Sequence, residues 1–389
     1  MGLLDPPRLR ASEGKDRHAT WLELFFDLVF VVAIAEVGTV LLRDVTWTGV
    51  ARFSLLFVSV WWAWVDATLY ADRFDTDDLG YRLVTLLEML TVAALAASVH
   101  GAFGSTGKAF SLAYVVVRGV LILRHWRAWR HIDIARPLMG RMMLSTSSGA
   151  AFWLVAAFVG SSLRPWLWLT GVLVTFVIAH LPSTRRLYTT VPLSASHLPE
   201  RFGLLTIIVL GEGVTAVVAG LAERDWQAAS TFTAAFGVVT TFAIWWVYFE
   251  NTNKTLLAQI ETVAERSWLR PAWLYSHLAL LMSLTAFGVA VELAILTGLR
   301  HASGTAERVL LIGSMVVALG ALTAIAIVPG SRRHMVLQTR TLLVAVAAVL
   351  LAGAATFPFS PVFATGTIAL VAVALVIVDL ASHRDAGLS

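Results

Sequence analysis

Apolar runs of about 20 residues, each long enough to cross the hydrocarbon of a bilayer as a helix, recur from residue 21 to residue 381. The polar gaps between them are too short to fold as soluble domains. With 58% hydrophobic and 14% charged residues, and a mean hydropathy of +0.77, the chain falls well outside the range of soluble domains, whose charged fraction is about a quarter. It reads as an all-α, polytopic membrane protein.

Hydropathy places twelve spans at 21–42, 50–70, 79–100, 109–129, 141–160, 164–183, 201–221, 229–249, 271–297, 306–328, 339–357 and 362–381. The first 20 residues are hydrophilic and the run after them is long and acidic, so the first helix reads as a retained span rather than a signal peptide. With the N-terminus inside, 21 of the 29 Lys and Arg fall on the inner side and 7 on the outer, with Arg118 inside a span. This bias follows the positive-inside rule and puts both termini in the cytoplasm. The net charge of +4 is then a matter of topology and calls for no nucleic-acid partner. The absence of cysteine excludes disulfides, thiol chemistry and Cys-ligated metals.

The two halves of the chain echo each other. "ERFGLLTIIVLGEGVTAVVAGL" lies over "ELFFDLVFVVAIAEVGTVLL", with Glu200 on Glu23, Phe202 on Phe25 and, after one gap, Glu212 on Glu36. In the next helix of each half, "WWAWVD" (61–66) answers "WWVYFE" (245–250), pairing Asp66 with Glu250. The tryptophans alone fit an interfacial aromatic belt, but the matched acids do not. The expected organisation is a cytoplasmic segment (1–20), a six-helix repeat (21–183), a linker (184–200), a second six-helix repeat (201–381) and a short tail (382–389). An even number of helices per repeat makes the two parallel, related by an axis along the membrane normal.

Depth follows from a rise of about 1.5 Å per residue. Glu23 lies near the entry of the first helix, Asp27 shares its face one turn deeper, and Glu36 lies some 20 Å in, facing nearly the opposite way. The first helix therefore needs polar surroundings on two sides and belongs near the centre of the bundle. Intramembrane acids without an evident basic partner mark ion or proton sites, which selects Glu36 and Glu212; Asp27 fits either such a site or a bond to a neighbouring helix. Gly211 and Gly213 flank Glu212 and predict a locally opened helix lining a cavity. Glu88 and Arg118, at similar depth in the third and fourth helices, are a candidate ion pair. Glu23, Asp66, Glu200, Arg201 and Glu250 complete the polar network near the interface. Of the histidines, only His277 falls well inside a span; His100, His180, His197 and His301 read as interfacial. None clusters with the spacing of a metal site.

"WLELFFDLVFVVAIAEV" and "HLPERFGLLTIIVLGEGVTAVV" closely resemble the bacterial low temperature requirement A (LtrA) family, through Glu23, Phe25, Phe26 and Asp27 and through Pro199, Glu200, Arg201, Phe202, Gly203, Gly211 and Glu212. The resemblance implies a polytopic inner-membrane protein; the family name records a growth trait, not an activity. More distantly, Glu23, Phe25, Asp27, Val29 and Phe30 resemble the first-helix signature of the FSD-motif potassium channels, in which the first helix of each repeat lines the pore. Here Phe26 replaces the serine, Trp21 the expected basic residue and Leu204 the acid of the second half.

The leading functional expectation is a proton- or cation-coupled secondary transporter of an unidentified small substrate, with Glu36 and Glu212 titrating near the repeat interface. A cation channel lined by helices 1 and 7, with Phe30, Ile34, Ile207 and Leu210 as apolar constrictions, is the alternative. A third reading, an intramembrane enzyme acting on a lipid, rests on the basic stretch "RHWRAWRHIDIARPLMGR" (124–141), which could hold anionic headgroups. No nucleophile and base pair, phosphate loop or metal motif accompanies it, so the expectation is a protein without enzymatic activity, cofactor or metal. Its partners are membrane lipids and a proton or monovalent cation; a parallel repeat permits a monomer and equally a homo-oligomer.

Overall fold

A computed structural model describes residues 6–9, 19–75, 78–194, 197–251, 269–297, 304–326, 353 and 360–387. Twelve α-helices appear among them, nine of which are long and apolar enough to cross a membrane. The protein is a membrane-spanning helical bundle. The sole strands among the described residues, β1 (Arg8–Leu9) and β2 (Phe74–Asp75), form a two-residue antiparallel ribbon.

The chain divides into two compact units, Met1–Val40 with Arg52–Arg201, and Leu41–Ala51 with Phe202–Ser389. In chain order the helices are α1 (Trp21–Arg43), α2 (Trp47–Arg73), α3 (Leu79–Ala97), α4 (Gly107–His131), α5 (Arg136–Ala156), α6 (Arg164–His180), the short α7 (Pro182–Leu187), α8 (His197–Ala222), α9 (Ala228–Asn251), α10 (Leu269–Thr297), α11 (Thr305–Ala326) and α12 (Pro361–Gly387). Eleven of the predicted spans coincide with helices; the run 339–357 lies outside the described residues apart from Gly353. Two boundaries differ for a local reason. Pro137 sits in the first turn of α5, where a missing N–H costs nothing, so that helix starts at Arg136 rather than 141. Pro182 forces Leu181 into an extended conformation (ψ 143°), which ends α6 at His180 and starts α7.

In the first unit, α1 opens with a capping box. Thr20 Oγ1 accepts from the Glu23 amide at 3.2 Å, and Glu23 Oε2 accepts from the Thr20 amide at 2.8 Å. Asp78 caps α3 by accepting from the Tyr81 amide at 3.1 Å. α3 packs on α4, α4 on α5, and α5 on α6. The last of these contacts is a small-residue interface: a Cβ added at Gly149 would come 2.8 Å from the carbonyl oxygen of Gly171, so only glycine lets the two backbones approach this closely. Trp153 and Trp168 stack beside it at 5.1 Å and 12°.

In the second unit, α10 packs along α11 and on α9, while α12 packs on α9. The Ser230 hydroxyl donates to the Ile295 carbonyl at 2.9 Å, and a Cβ at Gly288 would lie 3.2 Å from Gly213 Cα. α8 runs as unbroken α-helix through Gly211 and Gly213. The expected local opening is therefore corrected: Gly213 gives Gly288 of α10 a flat surface to approach, and the i→i−4 ladder continues because tertiary packing outweighs the weak helix propensity of glycine.

The aromatic belt is corrected too. Trp61 and Trp64 are 0% and 1% exposed and belong to the core. The strongly exposed tryptophans are others, Trp21, Trp47, Trp166 and Trp226, each at or beside a helix end, where an amphipathic ring suits the headgroup region.

Candidate functional site: a buried ionic network in the first unit

Glu23 and Asp27 are four residues apart on α1, and His197 and Arg201 are four apart at the start of α8, so each pair stands in one row along its helix. The two rows face each other. His197 meets Glu23 (Nε2 to Oε2, 3.4 Å), and Arg201 meets Asp27 through Nη2 and through Nε at 3.1 Å, with its Nη1 3.5 Å from Glu23 Oε1. The indole N–H of Trp64 on α2 donates to Asp27 Oδ1 at 2.7 Å. The other ring nitrogen of His197, Nδ1, lies 2.9 Å from Asp72 Oδ1 on α2, and Asp72 Oδ2 accepts from the Ser194 amide at 2.7 Å. All five charged side chains of this cluster are buried.

A second cluster lies among α2, α3, α4 and α5. Asp66 is 3.6 Å from Arg118 and 3.3 Å from His125 Nε2, and it accepts from the Thr146 hydroxyl at 3.3 Å. Glu88 pairs with Arg124 at 2.8 Å, and Arg124 also donates to Thr85 Oγ1 at 3.0 Å. The predicted Glu88–Arg118 pair is thus corrected: both residues are buried ion-pair members, but Glu88 takes Arg124 and Arg118 takes Asp66. Arg124 lies nearly two turns beyond Arg118, and the setting of α4 against α3 brings the later arginine to Glu88. Several buried polar atoms here have no protein hydrogen-bond partner among the described residues, including Glu88 Oε1, Arg118 Nη1, Arg124 Nε and His125 Nδ1. A small pocket adjoins both clusters, lined by Glu23, Phe26, Tyr81, Thr85, Arg124 and Arg201 among others. The Arg124 guanidinium stands over the rings of Phe26 and Tyr81, at 5.9 and 5.4 Å.

Outside the spans, Asp78 is buried and paired with Arg127 at 2.7 Å. Burial pushes its carboxyl up, but the Arg127 hydrogen bond and the Tyr81 amide outweigh burial and hold it below the ordinary aspartate range.

The remaining predicted residues are dispersed. Glu36 is 34% exposed and faces His100 Nδ1 at 3.0 Å, so it has a titratable partner that the sequence reading did not give it. Phe30 and Ile34 are buried at 0% and 1%. In the second unit, Glu212 is half-buried, Leu210 is buried, Ile207 is 43% exposed and Glu250 is exposed. Glu200, in the first unit, is half-buried. Tyr248, which stands opposite Trp64 when "WWAWVD" is laid over "WWVYFE", is also buried, and its hydroxyl lies 3.1 Å from Nε2 of the buried His277.

Sequence reasoning missed Asp72, Trp64, Arg124, His125 and His197 as members of the network. His197 and His125 read as interfacial or basic-segment residues because both sit near helix ends. The available signal was the i, i+4 spacing of His197 and Arg201, which repeats that of Glu23 and Asp27.

The sequence pattern described as "Bacterial low temperature requirement A protein (LtrA)" matches residues 18–378. An uncharacterised protein of Rhizobium meliloti (strain 1021) is 26% identical over 298 residues, which cover 74% of this chain and 72% of that protein. The family match takes in both charged rows, on α1 and on α8, and nearly all of the helices. The chain belongs to the bacterial low temperature requirement A (LtrA) family.

Proposed function

We propose that this protein is a proton-coupled secondary transporter of the bacterial inner membrane, moving a small solute with carboxylates of its membrane-spanning helices as the titrating groups. On this reading it has twelve spans in two parallel six-helix repeats and both termini in the cytoplasm. The observation that carries it is the recurrence of carboxylate–histidine contacts along the first unit: Glu23 and Asp72 with His197, Asp66 with His125, and Glu36 with His100. Chains of Asp, Glu and His within membrane helices are the usual apparatus for moving protons, because each member can take up and release one.

Glu36 and Glu212 remain the proposed coupling pair, as aligned acids that sit half-buried in the two units. The shared burial of Trp64 and Tyr248, each hydrogen-bonded to a titratable side chain, supports the two-repeat reading. The test is solute uptake by proteoliposomes under an imposed proton gradient. Saturable uptake that follows the gradient supports a carrier; unitary currents in a planar bilayer would replace it with a channel.

A further inference from the structure

We infer that His197, clamped between Glu23 and Asp72, is a proton-binding site that ties the start of α8 to α1 and α2 only while its ring carries both protons. The site stands on its own geometry; its use in transport rests on the proton-coupled reading above.

Both ring nitrogens face carboxylate oxygens, at 2.9 Å on the Asp72 side and 3.4 Å on the Glu23 side, and the ring is fully buried. A neutral imidazole has one N–H and one bare lone pair, so in this arrangement it would turn that lone pair toward a carboxylate. Only the doubly protonated ring donates to both. Charge balance points the same way. Among the described residues, Glu23, Asp27 and Asp72 bring three carboxylates to Arg201 and His197, and a proton on His197 lowers the negative charge carried by these five side chains, which matters where charges are desolvated.

Among the described residues, the charged and titratable groups of this cluster and of the pocket beside it are Glu23 and Asp27 from α1, Asp72 from α2, Tyr81 from α3, Arg124 from α4 and Arg201 from α8. Arg73, also on α2, donates instead to the Val191 and Leu69 carbonyls, at 3.1 Å each. The Asp72 contact is the shorter of the two, and the Ser194 amide holds that carboxylate in place. Loss of a proton therefore falls on Nε2: the Nε2–H bond breaks, the proton passes to Glu23 Oε2 and on to solvent, and the lone pair left behind faces Glu23. The link to α2 persists while the link to α1 weakens. Proton release thus loosens the His197 contact with α1, while Arg201, one turn on, keeps α8 paired with Asp27.

The experiment is nitrogen NMR of the full chain with ¹⁵N-labelled histidine in lipid nanodiscs, with the His197 signals assigned by their loss in His197→Gln. Exposed His131, which has no partner among the described residues, is the internal reference. The expected result is a doubly protonated His197 ring at a pH where His131 is neutral, and a neutral ring with the proton on Nδ1 in Glu23→Gln. A wild-type His197 that is neutral whenever His131 is neutral overturns the proposal. If Glu23→Gln does not fold, the wild-type spectrum alone decides. The spectra need no transported solute, so a doubly protonated His197 with no proton-driven uptake removes the transport reading and leaves the site.

Discussion

Trp64 donates its indole N–H to Asp27 at 2.7 Å, so the acid one turn beyond Glu23 on α1 is held from α2 as well as by Arg201. Trp64→Phe keeps most of the ring volume and removes the donor. A hydrogen bond to a charged group contributes about 1.5–3 kcal/mol, and detergent-solubilised protein should lose stability of that order on thermal unfolding. Trp47→Phe, at a site 80% exposed, should change it by less than about 0.5 kcal/mol.

Asp27 and Arg201 form a fully buried ion pair. Removing one partner of such a pair leaves an uncompensated charge and costs roughly 3–5 kcal/mol. Asp27→Asn and Arg201→Gln should each fall in that range. The double variant should cost less than the two together, with a coupling of about 0.5–3 kcal/mol in a double-mutant cycle.

Two glycines of the second unit should respond oppositely. A Cβ at Gly288 would press on Gly213 Cα, and Gly288→Ala should destabilise by about 1–3 kcal/mol. A Cβ at Gly211 meets nothing within 4 Å, so Gly211→Ala should be neutral or stabilise by roughly 0.5–1 kcal/mol through better helix propensity. Equilibrium unfolding of both variants checks this. A destabilised Gly211→Ala protein would contradict a continuous α8.

Asp78 gives a pH dependence. Its carboxyl lies below the ordinary value in the folded protein, so its contribution is fully present above the unfolded value of about 3.9 and is lost as pH falls through the lower, folded value. Asp78→Asn removes both the cap charge and the Arg127 pair. The variant should be less stable than wild type by about 1 kcal/mol at neutral pH, and the gap should narrow as pH falls from about 3.9 through the lower, folded value.

The helices were legible because a span needs only length and apolarity, both of which are local properties. The acids of α1 were legible as well: Glu23 and Asp27 share a face, and both join the network. Partner choice was not, since it depends on how each helix is rotated about its axis. Arg124 and Arg118 lie on one helix, and nothing in their spacing says which of them meets Glu88. Trp64 was hidden for a different reason. A tryptophan near the end of a span fits the headgroup region and a buried carboxylate equally well, and only the setting of α2 against α1 decides between them. His197 was masked by its position at a helix start, where burial cannot be told from an interfacial location.

Glu36 and Glu212 are the acids proposed to couple solute movement to protons. The most direct measurement is uptake of a panel of small solutes into proteoliposomes, with internal pH followed by a trapped dye, for wild type and for the Glu36→Gln, Glu212→Gln double variant. The predicted result is saturable uptake accompanied by proton movement in wild type, with the proton movement lost in the variant. Uptake and pH dependence unchanged in the double variant would contradict it.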